Sequence, residues 1–211
     1  MNNFPLPIAV LISGSGSNLQ SLIEAQDPAR GYIVVVVISD RPGVRGLERA
    51  VDAGIPTAVV EWSDIGSRSS LTAALCDVAD RFGAKCLVLA GFMRILAPNA
   101  IERFPGAIIN VHPALLPAFP GPHAVEDAIE YGVKITGVTV HFVDEQVDHG
   151  PIIVQAAIRV AAEDDPVSLH SRIKEIEHRL LPDVVSAFAR GDLAVQGRHV
   201  RWDKMSEEAI G

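Results

Sequence analysis

One uninterrupted run of β-branched residues limits the fold of this chain more than any other feature. Ile33–Ile38 contains only isoleucine and valine, which is typical of a strand that is buried on both faces of a parallel sheet. Further short apolar runs predict strands before and after it: Ile8–Ile12, Thr57–Val60, Cys86–Ala90 and Ala107–Val111.

Segments with a helical spacing of apolar residues separate these strands. They are the segment from Leu19 to Ala25, a helix with Leu47, Ala50 and Val51 on its buried side and Gly54 just past its end, the long segment Ser67–Phe82, and a short helix near Pro98–Phe104. This alternation predicts an α/β fold with a doubly wound, mostly parallel sheet.

The pattern changes after residue 122. Lys134–Asp144 and Ile152–Val160 are predicted strands, and the nine residues 144–152 are too few for a helical crossover. The two strands are therefore predicted to be antiparallel. The other predicted elements are a helix at Pro122–Tyr131, a helix or helix pair at Pro166–Arg190 around Pro182, and a small hairpin of Leu193–Val195 and His199–Arg201.

Residues 110–122 directly follow the apolar run Ala107–Ile109, which predicts a buried strand, and contain four prolines. Asn110 and His112 have the i, i+2 spacing that places two side chains on one face of a strand. The prolines prevent a regular continuation. An amide and an imidazole at a strand end, where open α/β sheets keep their active sites, could stabilise an oxygen that becomes negative during acyl transfer. The alternative is a structural turn that contains a polar pair.

A glycine-rich turn, Ser13–Asn18, joins the first predicted strand to the first predicted helix. Such a turn exposes backbone N–H groups at a helix N-terminus, which suits a phosphate. It lacks the third glycine of the dinucleotide fingerprint and the Gly-Lys-Ser/Thr of a P-loop. The sequence therefore favours a site for one phosphate. The alternative is a capped β-turn with Ser17 as the N-cap.

Two more segments follow strand ends. Gly91–Leu96 is apolar apart from Arg94, so it could form the wall of a pocket for a flat heterocycle or could begin a core helix. The acidic turn Asp144–Pro151 lies between the two late strands. Such turns are usually only solvated. An aspartate in this one could instead raise the pKa of a neighbouring imidazole and take up a proton.

A fourth candidate lies on the predicted helix Ser168–Leu180. Lys174, Glu177 and His178 fall within one turn of it. Most residues on such a face are solvent-exposed charges. If the helix packs beside the glycine-rich turn, Glu177 could reach ribose hydroxyls.

Composition excludes several classes of protein. The 211 residues suit one α/β domain, or at most one domain with a small appendage. Its 48% hydrophobic and 21% charged residues are ordinary globular usage. A net charge of −8 argues against nucleic acid as a partner. Cys76 and Cys86 are too few for a zinc site or a disulfide framework. The absence of a signal-like segment at Met1–Pro7 and of any 18-residue apolar run predicts a cytoplasmic protein with no membrane partner.

Taken together, the candidate segments resemble those of the phosphoribosylglycinamide formyltransferases, folate-dependent enzymes of purine synthesis, across roughly residues 7–190. The segments that carry the resemblance are Ile12–Gln20, Leu47–Ala50, Ala90–Leu96, Asn110–Pro117 and Thr139–Val143. They occur in the order and at the spacing of that family. No single segment is specific, but the combination is.

The resemblance implies a Rossmann-like formyltransferase fold in a single domain over residues 1–211. A phosphate-binding half would span about 7–105, and a catalytic and folate-binding half about 106–211. The implied reaction moves the formyl group of 10-formyltetrahydrofolate to the amine of glycinamide ribonucleotide, without a metal. Both substrates are small molecules. Monomer and homodimer are both open.

Position by position, the resemblance also implies roles for individual residues. Catalysis falls to Asn110, His112 and Asp148. The substrate contacts are Gly16, Ser17 and Asn18 for the phosphate and Glu177 for the ribose. The folate contacts are Arg68, Met93, Arg94, Ile95, Leu96, Asn110, Val143 and Asp144.

One residue departs from the family pattern, in which the position after the catalytic aspartate is commonly small. His149 stands there, and a left-handed backbone at that position would cost about 1 kcal/mol or more. The rival functions are a deformylase that transfers the formyl group to water, a methionyl-tRNA formyltransferase, and a non-catalytic nucleotide-binding module. An N-terminal regulatory domain is usual in the first and a tRNA-binding domain in the second, and neither is expected here.

Overall fold

The computed structural model describes residues 5–203. The chain forms two compact units, and the division lies between Asn110 and Val111. A single domain over residues 1–211 stays a prediction, and its residues 1–4 and 204–211 lie outside the described ones. Within the described part, no helix is both long and apolar enough to cross a membrane.

The strands of the first unit form a parallel sheet in the order β3-β2-β1-β4-β5. They are β1 (Leu6–Ile12), β2 (Tyr32–Ser39), β3 (Thr57–Val59), β4 (Cys86–Leu89) and β5 (Ile108–His112), whose last two residues belong to the second unit. The core lies on the central strands, because Ile8–Ile12 is completely buried. In β2, burial on both faces holds from Val36 onwards, whereas Ile33 is 39% exposed near the start of the strand.

The helices of the first unit are α1 (Ser17–Glu24), α2 (Arg45–Asp52), α3 (Arg68–Arg81) and α4 (Pro98–Arg103), with short 3₁₀ turns at Pro28–Arg30 and Trp62–Asp64. The predicted face of α2 is wrong in part. Gly46 and Ala50, four residues apart, are its buried residues, whereas Val51 is 64% exposed. Gly54 follows the helix with φ of 70°, as expected for a residue past the helix end.

The second unit contains α5 (Ala124–Tyr131), β6 (Ile135–Phe142), β7 (Ile152–Arg159), α6 (Pro166–Arg190), β8 (Leu193–Gln196) and β9 (His199–Trp202). β6 and β7 are antiparallel, and so are β8 and β9. The predicted fold class is therefore confirmed: a mostly parallel α/β sheet with antiparallel strands towards the C-terminus.

Helix α6 is one continuous helix, with Pro182 inside it. Asp165 and Ser168 form a reciprocal cap at its start, since each side chain binds the other residue's backbone N–H. Gly191 ends the helix in the left-handed conformation. The helix packs on β6 and β7, the strands on either side of the acidic turn.

Candidate functional site

The second unit brings an imidazole and a carboxylate together. His112 is the last residue of β5 and is only 4% exposed, and Asp148 lies in the turn between β6 and β7. His112 Nδ1 is 3.5 Å from Asp148 Oδ2. The acidic turn therefore reaches His112, and the imidazole beside its aspartate is this one.

The proline-rich loop fixes both members of this pair. His112 Nε2 lies 2.8 Å from the carbonyl oxygen of Phe119, and a carbonyl only accepts, so Nε2 carries a proton. Nδ1 then faces Asp148. Asp148 Oδ2 also accepts a hydrogen bond of 2.7 Å from the backbone N–H of Gly121. The proline-rich loop thus orients both the imidazole and the carboxylate.

The backbone at the carboxylate is strained. Asp148 itself has φ of 50°, whereas His149 does not adopt a left-handed conformation. The left-handed residue is thus Asp148, one position before the histidine, and the cost considered for His149 does not arise there. Gly150 cannot carry a side chain, since a Cβ there would lie 1.8 Å from the Phe142 carbonyl oxygen.

A second histidine that sequence reasoning missed adjoins Asp148. His141 is buried in β6, its Nδ1 is 2.8 Å from the Phe142 carbonyl oxygen and its Nε2 is 3.9 Å from Asp148 Oδ1. Burial lowers the pKa of His141 and outweighs the opposing effects of that carbonyl and of Asp148. The signal was present, because His141 lies in a segment that carries the family resemblance, but no role followed from the pattern.

A buried hydrogen-bond network fixes the start of the proline-rich loop. Thr139 Oγ1 donates to the Ala114 carbonyl (2.7 Å) and accepts from the Leu116 N–H (3.0 Å). Gln155 Nε2 donates to the Leu116 carbonyl (2.8 Å). Since both side chains come from the antiparallel pair β6–β7, these strands hold the chain that directly follows His112.

In the first unit, the glycine-rich turn is shaped by a close contact between helices. Gly16 is the N-cap of α1 with φ of 68°, and a Cβ on it would lie 2.5 Å from Gly46 Cα in α2. The capped turn with Ser17 as N-cap is therefore wrong, because Ser17 is the first helical residue and no side chain caps the helix. Ser17 and Asn18 are the first two residues of α1, and the N-terminus of a helix suits an anion.

Arg49 adds a positive charge beside this turn. Its Nε donates to the Ser15 carbonyl (3.0 Å), and its Nη1 donates to Gln20 Oε1 (3.0 Å). Sequence reasoning did not assign this arginine a role, although it lies in Leu47–Ala50.

Residues 91–96 form an irregular loop, so the core-helix alternative is wrong. Met93 and Ile95 are 58% and 50% exposed, as a wall for a heterocycle requires. The Arg94 guanidinium binds inside its own unit, with Nε 2.8 Å from Asp40 Oδ2 and the group 5.5 Å over the Trp62 ring. Leu96 is half-buried, and Arg68 is the exposed first residue of α3.

The remaining candidates have different surroundings. Asn110 is half-buried on β5, two residues before His112. Val143 is half-buried directly after β6. Asp144 binds the His149 ring (Oδ2 to Nδ1, 2.7 Å) and the Gln146 N–H. Glu177 is buried in α6 rather than solvent-exposed.

Across residues 5–203, no group of three or more His, Cys, Asp and Glu side chains is placed to hold a metal ion.

Comparison with known proteins identifies a family. Residues 6–185 match the family described as Formyl transferase. A phosphoribosylglycinamide formyltransferase of Mycobacterium tuberculosis is 46% identical over 197 residues, which is 92% of this chain and 90% of that protein. The trifunctional purine biosynthetic protein adenosine-3 of Drosophila melanogaster is 46% identical over 187 residues, which is 87% of this chain. The chain spans only 14% of that long relative.

Solved structures give the same result. Glycinamide ribonucleotide transformylase 1 from Symbiobacterium toebii superposes with a TM-score of 0.92 at 43% identity, covering 96% of this chain and 95% of that one. The phosphoribosylglycinamide formyltransferase of Coxiella burnetii, in complex with CHES, gives 0.87 at 39% identity and 94% coverage of both chains. This chain therefore belongs to the formyl transferase family.

Proposed function

We propose that this chain transfers the formyl group of 10-formyltetrahydrofolate to the amine of glycinamide ribonucleotide, giving formylglycinamide ribonucleotide and tetrahydrofolate in purine synthesis. The observation that carries the proposal is the buried pair of His112 and Asp148, 3.5 Å apart at the end of β5. Relatives named for this reaction match the chain over nearly its whole length.

His112 stabilises the oxygen that gains negative charge when the amine adds to the formyl carbon. Its Nε2–H already donates to an oxygen, the Phe119 carbonyl. Transfer of that hydrogen bond to the substrate oxygen replaces a neutral acceptor by one that becomes anionic, so the gain is largest in the transition state. The Asn110 amide, on the same face of β5, is the second donor.

Asp148 transfers the proton from the attacking amine to the leaving folate nitrogen. The amine loses one proton as the new C–N bond forms, and the folate nitrogen gains one as the old C–N bond breaks, so one carboxylate can accept and return it, directly or through a water. Burial disfavours a positive charge on His141, so we assign the imidazole contact that serves catalysis to His112, 3.5 Å from this carboxylate. The folate supplies only the formyl group.

Each substrate has candidate contacts. The substrate phosphate would bind the N–H groups at Gly16, Ser17 and Asn18, and its ribose would bind Glu177. A flat folate ring fits the apolar surface exposed by Met93 and Ile95. The other proposed folate contacts are Arg68, Arg94, Leu96, Asn110, Val143 and Asp144. At Arg94 we propose that the backbone contacts the folate, because the guanidinium is held by Asp40.

The setting of the reaction is also proposed. We place the enzyme in the cytoplasm, acting on small molecules without a metal, and a homodimer stays a prediction that sedimentation would test. Activity that survives prolonged treatment with a chelator would agree with the metal-free route. Activity that a divalent cation restores would contradict it.

The decisive experiment follows the absorbance of the folate product with glycinamide ribonucleotide present and absent. Product formation only with the ribonucleotide is the expected result. Equal formation without it would indicate a deformylase, and no formation would indicate a binding protein. His112→Ala should lose turnover by at least about 10²-fold while it still binds the ribonucleotide, and retained turnover would reject the role of His112.

A further inference from the structure

A small hairpin near the C-terminus has no role in the function proposed above. Strands β8 and β9 are joined by the two-residue turn Gly197–Arg198, in which Gly197 has φ of 59°. Glycine is required at the first position of such a turn. Most residues of the hairpin are exposed, so it buries little apolar surface of its own. Its β9 strand lies against β7.

The tip of the hairpin contacts the turn that carries Asp148. Arg198 Nη2 donates to the backbone carbonyl of His149 at 2.7 Å. Arg198 Nη1 lies 3.3 Å from each nitrogen of the His149 ring. One planar guanidinium thus holds both the main chain and the side chain of the residue after Asp148, a two-point contact that a fork of N–H donors makes readily.

The His149 ring carries the contact further along the same turn. Its Nδ1 is 2.7 Å from Asp144 Oδ2, and a carboxylate only accepts, so Nδ1 carries a proton. Arg198 Nη1 approaches the same ring, 3.3 Å from Nε2. Asp144 Oδ1 also caps the Gln146 N–H at 2.9 Å. Arg198, His149 and Asp144 therefore form one connected chain that spans the turn.

The turn needs such support because its central residue is strained. Asp148 is held at φ of 50°, a conformation that costs a non-glycine residue about 1 kcal/mol or more. Gly150, two residues after Asp148, has no side chain that could pack against the turn. Two contacts hold Asp148 in this conformation. Gly121 donates to its carboxylate, and Arg198 donates to the carbonyl of the next residue.

We propose that Arg198 is a positioning residue. It holds the turn 144–150 so that the Asp148 carboxylate stays 3.5 Å from the His112 ring. This inference rests on the proposed function, and it explains the histidine that departs from the family pattern. An exposed arginine contributes little to global stability. A displacement of about 1 Å at a catalytic group, in contrast, can cost up to about 10²-fold in rate.

The test compares Arg198→Ala with Arg201→Ala. Arg201 lies on the same hairpin and pairs with Asp203, so it is a matched surface control. For Arg198→Ala we expect kcat/KM for formyl folate to fall about tenfold and the KM for glycinamide ribonucleotide to stay within about twofold. Arg198→Lys should recover part of the loss, because an ammonium can reach the carbonyl but cannot bind the ring at the same time.

Hydrogen exchange supplies a readout that does not need activity. The amides of residues 144–150 should exchange faster in Arg198→Ala than in wild type or Arg201→Ala, with thermal midpoints within about 2 °C of each other. Equal kinetics and equal exchange in the two alanine variants would overturn the inference. A wild-type protein without ribonucleotide-dependent turnover would instead refute the proposed function, and the exchange comparison would still decide the role of Arg198.

Discussion

At the scale of single residues, the site depends on one carboxylate with several simultaneous partners. Asp148 faces His112 at 3.5 Å and His141 at 3.9 Å, and it accepts from Gly121 at 2.7 Å. The Asp148 carboxylate therefore does two different things. The contact with Gly121 needs only an acceptor oxygen, whereas the contact with the imidazole also uses the negative charge. An amide in place of the carboxylate keeps the first and loses the second.

Asp148→Asn should therefore fold normally and lose catalysis. We expect kcat to fall by about 10²–10⁴-fold, the usual contribution of a general acid or base. The KM of glycinamide ribonucleotide should change less than about threefold, because the phosphate contacts are untouched. Steady-state kinetics with both substrates measure this, and Asp203→Asn provides the surface control. A kcat within threefold of wild type would contradict the proton-transfer role.

His141 predicts how stability depends on pH. Burial lowers its pKa below the unfolded value of about 6.5, so between those two values the unfolded chain binds more protons than the folded chain. The free energy of unfolding must then decrease as the pH falls below about 6.5, by up to about 1.4 kcal/mol per pH unit for one proton. His170, whose pKa burial and Lys174 also lower, adds in the same direction.

Denaturant titrations between pH 5 and pH 8 test this. His141→Gln should give a shallower decline on the acid side than wild type, and His170→Gln should give its own, separate reduction. If the slope in His141→Gln equals that of wild type, then burial of this imidazole does not set the acid limit of stability.

Residue identity was easier to predict than backbone conformation. Asn110 and His112 were evident from their spacing on a strand and the prolines that follow. The strain at Asp148 was not evident from sequence. Its left-handed φ is set by how the turn between β6 and β7 closes, and the residue type aspartate does not indicate it. The second imidazole was missed for a similar reason, since its distance to Asp148 depends on the same closure.

At the scale of elements, the contact between α1 and α2 positions the proposed phosphate site. Gly46 N–H donates to the Gly14 carbonyl at 3.0 Å. A Cβ on Gly46 would lie 2.4 Å from Cδ1 of the buried Ile12, 3.1 Å from that oxygen and 3.3 Å from Gly16 Cα. The prediction for α2 erred here because glycine is usually counted as a helix breaker, whereas in this helix it is the contact surface.

Of the two substrates, Gly46→Ala should consequently weaken the binding of the phosphate-bearing one, and its clash with Ile12 should also lower stability. A methyl group there pushes against the turn, and we expect the KM of glycinamide ribonucleotide to rise about tenfold, equivalent to about 1.4 kcal/mol, with the folate KM unchanged. Val51→Ala, on the exposed side of the same helix, is the control. An equal rise in both KM values would indicate a general distortion and would reject the assignment of the turn.

At the scale of the whole chain, the fold class followed from sequence because it depends on repeated local signals. Continuous apolar runs predicted the parallel strands, and the short connection between β6 and β7 predicted their antiparallel pairing. The site did not follow as completely. Its distances are set by loops, where a polar residue such as Asp144 is equally compatible with solvent, with a ligand or with the His149 ring that it binds.

The two free cysteines provide a test of how the first unit opens. Cys76 in α3 and Cys86 in β4 are fully buried. Burial raises the pKa of the Cys76 thiol to about 11, and burial also raises the pKa of Cys86. A thiol-specific reagent at pH 8 should therefore label neither cysteine in the native state, and both should react only through unfolding of this unit.

Ligand binding should slow that labelling. Glycinamide ribonucleotide at about 100 times its Kd stabilises the unit that binds it by about 2.7 kcal/mol, which predicts labelling about 100-fold slower when opening and closing are fast. Ribose at the same concentration lacks the phosphate and should have no effect. Both thiols should slow together, since one cooperative unit contains them. Labelling that starts at once in the native protein, or protection of one cysteine only, would show that α3 and β4 open independently of the phosphate turn.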